Sequence, residues 1–383
     1  MKKIVKIIIF ISIALFFNIK QLSAEEKIKI GLLVPLSGEQ KDIGNSILKS
    51  IRLAINKIND PKIEIIPKDT KNNPMKTFME AQDLKKNGVK IVIGPVFNEN
   101  LSYLDELNEM IFLSLTNKDI KNPKNIISAG INARSQINTI IKFQELNNIN
   151  KTIFLIPDSD FKEEIENAIL QSKIKLKFTH IYNSNPTLLT KKIEEITLYS
   201  QRKQNLKDEI RRVENSNEIN KEKKIERLKK KDTLGGINFD SVIISDFDES
   251  LKSITTSLLY TDVSPSRVYY ITLNQWFDES LLKETSLQPI YFPSINKENL
   301  DEFNKQYKKI YNENPNQISF LSYDLIGLVY FLIFQNDFEI DKKIFYKKNK
   351  FKGKIGIFEI NKNKINHVLN FYKIEDKEFK KIF

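Results

Sequence analysis

The feature that most constrains the fold is a buried-type strand that runs directly into a small-residue turn and an amphipathic helix. Ile28 to Val34 forms the predicted strand, and Pro-Leu-Ser-Gly at 35–38 forms the turn. Apolar residues then recur at helical spacing on one face, namely Ile47, Ile51, Ala54, Ile55 and Ile58. This order places a helix N-terminus at the carboxyl end of a parallel strand, where open α/β sheets bind ligands.

The alternation of strand and helix continues along the chain. Further strands are predicted at 62–67, 90–93, 111–114 and 125–129, with helices at 74–86 and 100–109. After a helix at 134–147 the pattern restarts, with a helix at 161–173 and strands at 152–157, 177–182, 240–245 and 267–273. Regular βα units with short loops predict an α/β fold of two doubly wound parallel-sheet lobes.

A charged segment at 190–232 interrupts the second series of strands. Residues 201–231 hold 12 Lys or Arg and 6 Asp or Glu. Two narrow apolar stripes flank a turn at 215–217, one of Leu206, Ile210 and Val213 and the other of Ile225 and Leu228. We interpret the segment as a charged helical hairpin, with a solvated long helix or a disordered linker as the alternative.

The last part of the chain returns to mixed structure. A crossing segment at 287–295 precedes helices predicted at 298–312 and 319–334, and the second helix is apolar nearly all round. Such a helix is expected to be buried, so Tyr323 and Asp324 within it are interpreted as residues that support the fold. Strands are predicted at 355–360 and 368–374.

Residues 1–24 have the pattern of a secretory signal peptide. Basic residues precede an apolar run at 7–17, and Leu22-Ser-Ala24 suits cleavage. An uncleaved anchor is the alternative, but the apolar run is about half the length that a bilayer span needs. We expect a soluble chain that is exported to the periplasm, cleaved near Ala24, with no stable membrane insertion afterwards.

Composition excludes several classes of function. The chain has no cysteine, which removes disulfides, thiol chemistry, Fe–S clusters and cysteine zinc sites. The net charge of +12 is concentrated in the leader and in 201–231, so nucleic acid is not an expected partner.

Catalytic signatures such as Gly-x-Ser-x-Gly, a Walker loop or Gly-x-Gly-x-x-Gly are absent from the sequence. His180 and His367 are its only histidines, and neither has the carboxylate spacing of a metal site. We expect no enzyme activity, no cofactor and no metal.

Four motifs in this order resemble the type I periplasmic binding proteins of the leucine/isoleucine/valine-binding family. They are Lys29-Ile-Gly-Leu-Leu-Val-Pro-Leu-Ser-Gly38, Ile93-Gly-Pro-Val96, Ser322-Tyr-Asp324, and Phe351-Lys-Gly353 with Ile355-Gly-Ile-Phe358. Asp232-Thr-Leu-Gly-Gly236, Asn274-Gln-Trp276 and the charged insertion look like the penicillin-binding-protein activator-like branch. The resemblance implies two lobes with a cleft between them, joined by three crossovers near 130–136, 287–295 and 333–340. Lobe 1 would hold 27–132 plus 293–334, and lobe 2 would hold 134–288 plus 335–383.

The resemblance also implies a ligand site on loops at the carboxyl ends of strands. The expected first-lobe residues are Ser37, Asn98, Glu99, Thr116 and Asn117, and the expected second-lobe residues are Asp158, Ser159, Phe161, Asp246, Phe247 and Trp276. Structural alternatives are open for four of them, since Ser37 and Asn98 could cap helices, Asp158 could belong to a turn, and Trp276 could be a packing residue. Glu99 would oppose a ligand carboxylate, which argues against an α-amino acid.

Two functions follow from the resemblance. In the first, the chain binds a small polar, amino-acid-like ligand between its lobes and delivers it to an ABC permease as a monomer. In the second, it binds and regulates a peptidoglycan synthase, with the basic hairpin as the contact surface.

Overall fold

The computed structural model describes residues 27–119, 123–183, 185–273, 276–361 and 364–383. The predicted signal peptide therefore lies outside the described residues, as do Asn274 and Gln275. The first sheet has five parallel strands in the order β2-β1-β3-β4-β5. These strands are β1 (Ile28–Val34), β2 (Ile63–Asp69), β3 (Ile91–Ile93), β4 (Ile111–Ser114) and β5 (Ile126–Ser128).

Helices cover both faces of the first sheet, and its strands β3, β4 and β5 are accordingly buried along their whole length. On one face lie α1 (Lys41–Ile58), α9 (Lys297–Tyr311) and α10 (Gln317–Phe334), and on the other lies α2 (Pro74–Lys86). Several of the chain's helices begin at an asparagine whose side-chain oxygen accepts a hydrogen bond from a backbone N–H of the first turn, as Asn73 does for α2 and Asn316 for α10.

The second sheet has seven strands in the order β15-β14-β10-β9-β8-β6-β7. Its parallel part consists of β6 (Thr152–Pro157), β7 (Leu176–Tyr182), β8 (Ser241–Ile244), β9 (Tyr269–Thr272) and β10 (Ile290–Ser294). The antiparallel edge consists of β14 (Asn370–Glu375) and β15 (Glu378–Lys381). Helices α3 (Ala133–Leu146) and α4 (Lys162–Leu170) pack on one face, while α5 (Pro186–Ile196) and α8 (Asp248–Tyr260) pack on the other.

A third sheet lies at the junction of the two halves. It is antiparallel and consists of β11 (Asn349–Lys352), β12 (Ile357–Asn361) and β13 (Lys364–Val368). Asn132, just after β5, donates from Nδ2 to the Ile365 carbonyl at 3.1 Å. Asn296, just after β10, donates its backbone N–H to the Ile355 carbonyl at 3.1 Å. The small sheet therefore holds the segments that join the two larger sheets.

The charged insertion forms two helices, α6 (Tyr199–Glu214) and α7 (Lys221–Lys229). Their apolar stripes face each other, since Leu206, Val213 and Leu228 form a small buried cluster. Helix α5 is part of the second lobe rather than of the insertion, because Leu189 and Ile193 are buried in the main core. Of the predicted insertion 190–232, residues 190–196 thus belong to α5, and the hairpin helices span 199–229.

Four further sequence predictions differ from the structure. The helix predicted at 100–109 is two 3₁₀ turns, Asn98–Leu101 and Leu104–Glu106, because Tyr103 between them has a φ of +68°. The crossing segment 287–295 contains β10, an internal strand of the second sheet. The strand predicted at 368–374 is divided at Leu369 between β13 and β14, which lie in different sheets. In the described part of the predicted second-lobe segment 335–383, β14 and β15 join the second sheet, whereas β11, β12 and β13 form the third.

One described helix, α10, is long and apolar enough by length and composition to cross a membrane. In the structure it packs against α1, and most of it is buried. The Ser50 hydroxyl of α1 donates to the Ser319 carbonyl of α10 at 2.6 Å, which fixes this packing. This position is that of a core helix, as expected from its all-round apolar surface.

Candidate functional site

A cavity of about 490 Å³ lies where loops of the first lobe meet the second lobe. The loops that follow β3 and β4 form one wall. The opposite side is formed by the start of α3, the loop after β9 and the end of β10. Its polar and aromatic lining comprises Phe97, Asn98, Glu99, Thr116, Asn117, Lys118, Gln136, Trp276, Ser294, Asn316 and Gln317. A cavity of this size that combines apolar surface with convergent polar groups is typical of a small-molecule site.

The loop after β3 presents Asn98 and Glu99, both exposed, to this cavity. Asn98 does not cap the 3₁₀ turn that follows, because the capping position is Phe97 and no side chain there bonds to the turn. Asn100 attaches this loop to the loop between β2 and α2, since its buried side chain donates from Nδ2 to Asn72 Oδ1 at 2.6 Å. The structure therefore does not support the alternative in which the Asn98 side chain caps the following helix.

Two hydrogen bonds that Thr116 accepts hold the loop after β4. Thr116 Oγ1 accepts a hydrogen bond from the Lys118 N–H at 3.2 Å, and the Thr116 carbonyl accepts one from the Gly130 N–H at 3.1 Å. Gly130 approaches so closely that an added Cβ would lie 2.5 Å from the Thr116 oxygen. The Thr116 hydroxyl thus shapes the turn, while Asn117 and Lys118 also line the cavity.

Trp276 separates this cavity from a second one of about 510 Å³. Trp276 and Gln317 line both cavities, and Phe247 lines only the second. The indole is part-buried and packs against the main core. Trp276 is therefore a packing residue and a wall of the cleft at once.

Sequence reasoning missed several cavity residues, among them Lys118, Gln136, Ser294, Asn316, Gln317 and Ile318. Three of them form the start of α10, a helix that the sequence marks as buried because it is apolar on all sides. The sequence signal that could have located this helix start is Asn316, whose Oδ1 accepts a hydrogen bond from the Ile318 N–H at 3.0 Å. An asparagine cap places a helix start at the surface, where its first turn can reach a cleft.

Ser37 lies outside both cavities and is engaged with Asp69. Its hydroxyl donates to Asp69 Oδ2 at 2.6 Å, and its N–H and that of Leu36 donate to Oδ1 at 3.2 and 2.8 Å. Desolvation alone would raise the pKa of Asp69, but the hydrogen bonds from Ser37, Lys71 and Leu36 lower it. Ser37 does not cap α1 either, because the capping position is Gln40. Its role in this structure is to fix the turn after β1.

Four predicted residues of the second lobe also lie outside the two cavities. Asp158 is exposed and accepts a hydrogen bond from Lys162 Nζ at 3.1 Å. Ser159 and Phe161 belong to the turn that starts α4, and Phe161 packs onto the core. Asp246 accepts a hydrogen bond from the Tyr182 hydroxyl at 2.7 Å. Burial, followed by this bond to Asp246, raises the pKa of Tyr182.

The position of these residues in the sheet explains why they miss the cavity. The cavity lies beside β10, whereas β8, β6 and β7 lie progressively farther along the sheet. Neighbouring strands are about 4.8 Å apart, so the loop after β6 is displaced by about 14 Å from β10. The rule that ligands bind at the carboxyl ends of parallel strands does not say which of these strand ends lie beside β10, where the cavity is.

Within the described ranges, no group of three or more His, Asp or Glu side chains is placed to hold a metal ion. Burial lowers the pKa of His367 to about 4, and its Nε2 lies 2.9 Å from the Ala129 carbonyl. His180 lies on β7, and its pKa is lowered by desolvation and by Lys192.

Comparisons with known proteins match this architecture. Residues 27–189 match the protein family described as periplasmic binding protein. The C-domain of LpoA (YraM) from Haemophilus influenzae, described as a regulator of PBP1A, is 15% identical with a TM-score of 0.63, covering 93% of this chain and 100% of that one. A putative branched-chain amino acid ABC transporter from Rhodospirillum rubrum is 12% identical with a TM-score of 0.71, covering 93% and 100%. No curated protein matches the sequence.

The branched-chain amino acid binding protein LivJ from Streptococcus pneumoniae, solved with isoleucine, is also similar. It is 16% identical with a TM-score of 0.54, covering 93% of this chain and 99% of that one. These likenesses and the family match confirm the predicted α/β fold class and the resemblance stated from the motifs. The similar proteins are binding and regulatory proteins.

Proposed function

We propose that this chain, which has the fold of the type I periplasmic binding proteins, is a periplasmic solute-binding protein rather than an enzyme. It would hold a small polar ligand in the 490 Å³ cavity and deliver it to an ABC permease. The observation that carries the proposal is the cavity itself, in which Asn98 and Asn117 of the first lobe face Gln136 and Trp276 of the second. A ligand that contacts both lobes stabilises the closed arrangement, which is the form that a partner can recognise.

The lining indicates which ligands fit. Glu99 and Lys118 bring a carboxylate and an ammonium group to one cavity, and amide side chains supply neutral donors and acceptors. Phe97 and Trp276 provide aromatic surface for an apolar part of the ligand. A small polar molecule with an amine or amide group fits this set better than a simple carboxylate, because Glu99 would repel an anion.

Thermal-shift screening against amino acids, amides and short peptides, followed by calorimetry, tests the proposal. A ligand at 100 times its Kd stabilises the folded protein by about 2.7 kcal/mol. The variant Glu99→Gln should weaken the binding of an amine ligand, whereas Glu106→Gln, an exposed carboxylate of the same loop outside the cavity, should not. The proposal fails if no compound raises the melting temperature, or if both variants behave alike.

A second candidate function is regulation of a peptidoglycan synthase, and the helical hairpin favours it. The hairpin base is fixed by Arg202, whose buried guanidinium donates to the Thr261 carbonyl at 3.1 Å and to Thr233 Oγ1 at 2.6 Å. Beyond this anchor the hairpin surface is strongly basic, and Ile219 near its tip is fully exposed. A rigid basic protrusion with an exposed apolar tip suits contact with an acidic protein surface.

A pull-down with penicillin-binding proteins tests this second function. Residues 206–230 should be replaced by a short Gly-Ser linker, which keeps Arg202 and Thr233 in place. The ends are close enough for this change, because the Leu234 N–H donates to the Arg202 carbonyl at 3.0 Å. Loss of a penicillin-binding protein from the pull-down, with an unchanged melting temperature, would support regulation. Capture that survives the replacement would exclude the hairpin as the contact.

A further inference from the structure

The second cavity combines aromatic and acidic walls. It lies on the other side of Trp276 from the first cavity, between the start of α8, the loop after β9 and the first turns of α9. Its lining residues include the aromatic side chains of Phe247, Trp276, Phe277 and Phe379 and the carboxylates of Asp248, Asp278, Glu279 and Asp301. The only cationic lining residue is Lys297.

Lys297 shows how this cavity accommodates an ammonium group. Its Nζ lies 5.5 Å from the centre of the Phe277 ring and 5.8 Å from that of Phe379. The same atom donates to both oxygens of Asp301, at 2.9 and 2.8 Å. Ring faces and a carboxylate are the groups that stabilise an organic cation. The chain's own ammonium therefore already occupies one set of rings and carboxylate in this cavity.

The lining also includes Phe247, Asp248 and Glu279, which offer the same kinds of group without a cation from the protein. Phe247 is 51% exposed, and its neighbour Asp248 and the nearby Glu279 are exposed as well. In the part of the chain that the structure describes, neither Asp248 nor Glu279 forms an ion pair with a lysine or arginine. Asp278 is committed to the chain, since it accepts hydrogen bonds from the Ser280 N–H and hydroxyl at 2.8 and 2.6 Å.

We propose that Phe247, Asp248 and Glu279 of the second cavity bind the cationic group, a primary ammonium or a guanidinium, of an elongated ligand. The remainder of the ligand would pass Trp276 into the first cavity, so the inference rests on the proposed solute-binding function. The shared walls at Trp276 and Gln317 make the two cavities neighbours in one cleft. The cation is organic, because no cluster among the described residues has the ligand set for a metal ion.

Trp276 provides a direct readout, because it is the only tryptophan of the chain. The intact exported chain should be titrated with two matched dipeptides, leucyl-lysine and leucyl-norleucine, each with an amidated C-terminus that removes the carboxylate, with tryptophan fluorescence as the signal. These dipeptides differ in the terminal ammonium group of the second side chain. We expect leucyl-lysine to bind about tenfold more tightly, since both a carboxylate pair and ring faces contribute.

The double variant Asp248→Asn/Glu279→Gln should reduce this ratio to near one. Asp248 has a φ of +50°, which asparagine also tolerates, so the backbone is preserved. The control Asp208→Asn/Glu226→Gln removes the same charge from the helical hairpin, outside both cavities, and should keep the tenfold ratio.

Three results would overturn the inference. Equal binding of the two dipeptides to the unmodified chain, or an unchanged ratio in the Asp248→Asn/Glu279→Gln variant, removes the cation subsite while the solute-binding function stands. Loss of the ratio in the hairpin control shows that net charge is responsible rather than this cavity. If neither the dipeptides nor any compound of the thermal-shift panel binds, the solute-binding function fails and the subsite fails with it.

Discussion

The carboxylate of Asp324 fills the space beside Gly353, so that an added Cβ at residue 353 would lie 2.2 Å from Asp324 Oδ2. The same oxygen accepts a hydrogen bond from the Ile355 N–H at 2.6 Å. Asp324 lies on α10 of the first lobe, and Gly353 lies between β11 and β12 of the junction sheet. This contact therefore attaches the junction sheet to the first lobe.

Replacing Gly353 with alanine should lower the free energy of unfolding by about 2–3 kcal/mol, because the methyl group has no room beside the buried carboxylate. Chemical denaturation at neutral pH measures the change. Gly236→Ala is the matched control, since an added Cβ there meets no atom within 4 Å, and its effect should stay below about 1 kcal/mol. Equal effects of the two substitutions would contradict the proposed role of the Asp324 contact.

The pH dependence of stability should reveal two buried groups that act in opposite directions. Burial raises the pKa of Asp324 from 3.8 to about 6 and lowers the pKa of His367 from 6.5 to about 4. Between pH 4 and 6.5 the unfolded chain binds more protons at His367, so His367 makes stability rise with pH. Between pH 3.8 and 6 the folded chain binds more protons at Asp324, so Asp324 makes stability fall with pH. Each contribution amounts to about 3 kcal/mol.

Unfolding by urea at pH 4, 5, 6 and 7 separates the two groups. His367→Gln removes the rising contribution, so its stability relative to the unmodified chain should be highest at pH 4. Asp324→Asn removes the falling contribution, so its relative stability should be highest at pH 7. Parallel pH profiles for all three proteins would show that neither group titrates as its burial implies.

Most of the layered fold could be predicted from the sequence, because strands buried on both faces are short and continuously apolar. The Asp324 contact could not, although both of its motifs are visible in the sequence. Pairing a helix with a distant loop is a tertiary relationship that local periodicity does not contain. The division of 368–374 between two sheets at Leu369 escaped prediction for the same reason.

The candidate site could be predicted in part. Asn98, Glu99, Thr116 and Asn117 follow strands of the first sheet, and the rule for strand ends located them. The start of α10 was missed because its apolar residues dominate the pattern. Only the strand order of the second sheet shows that Asp158 and Asp246 lie away from β10.

Anchoring of the hairpin should depend on Arg202, whose burial lowers its pKa while Asp262 raises it. Arg202→Ala should destabilise the protein by about 3–5 kcal/mol, because it leaves the buried carbonyls and Thr233 without a donor. It should also make α6 and α7 sensitive to limited proteolysis. Arg212→Ala is the matched control, as Arg212 forms a two-point contact with Glu209 on the exposed surface, where a salt bridge contributes less than about 1 kcal/mol. Uncleaved hairpin in the Arg202→Ala variant would show that the helices are held by other contacts.

Ser37 and Asn98 should give opposite results when each is replaced by alanine. Ser37→Ala removes a hydrogen bond to the Asp69 carboxylate, so it should cost about 1.5–3 kcal/mol of stability and leave ligand affinity unchanged. Asn98→Ala removes an exposed cavity side chain, so the free energy of unfolding should change by less than about 0.5 kcal/mol while the Kd of a ligand found by thermal-shift screening rises about fivefold. Calorimetry and denaturation of both variants measure the four quantities. If instead Ser37→Ala weakens binding and Asn98→Ala does not, the ligand lies toward the turn after β1 and the 490 Å³ cavity is not its site.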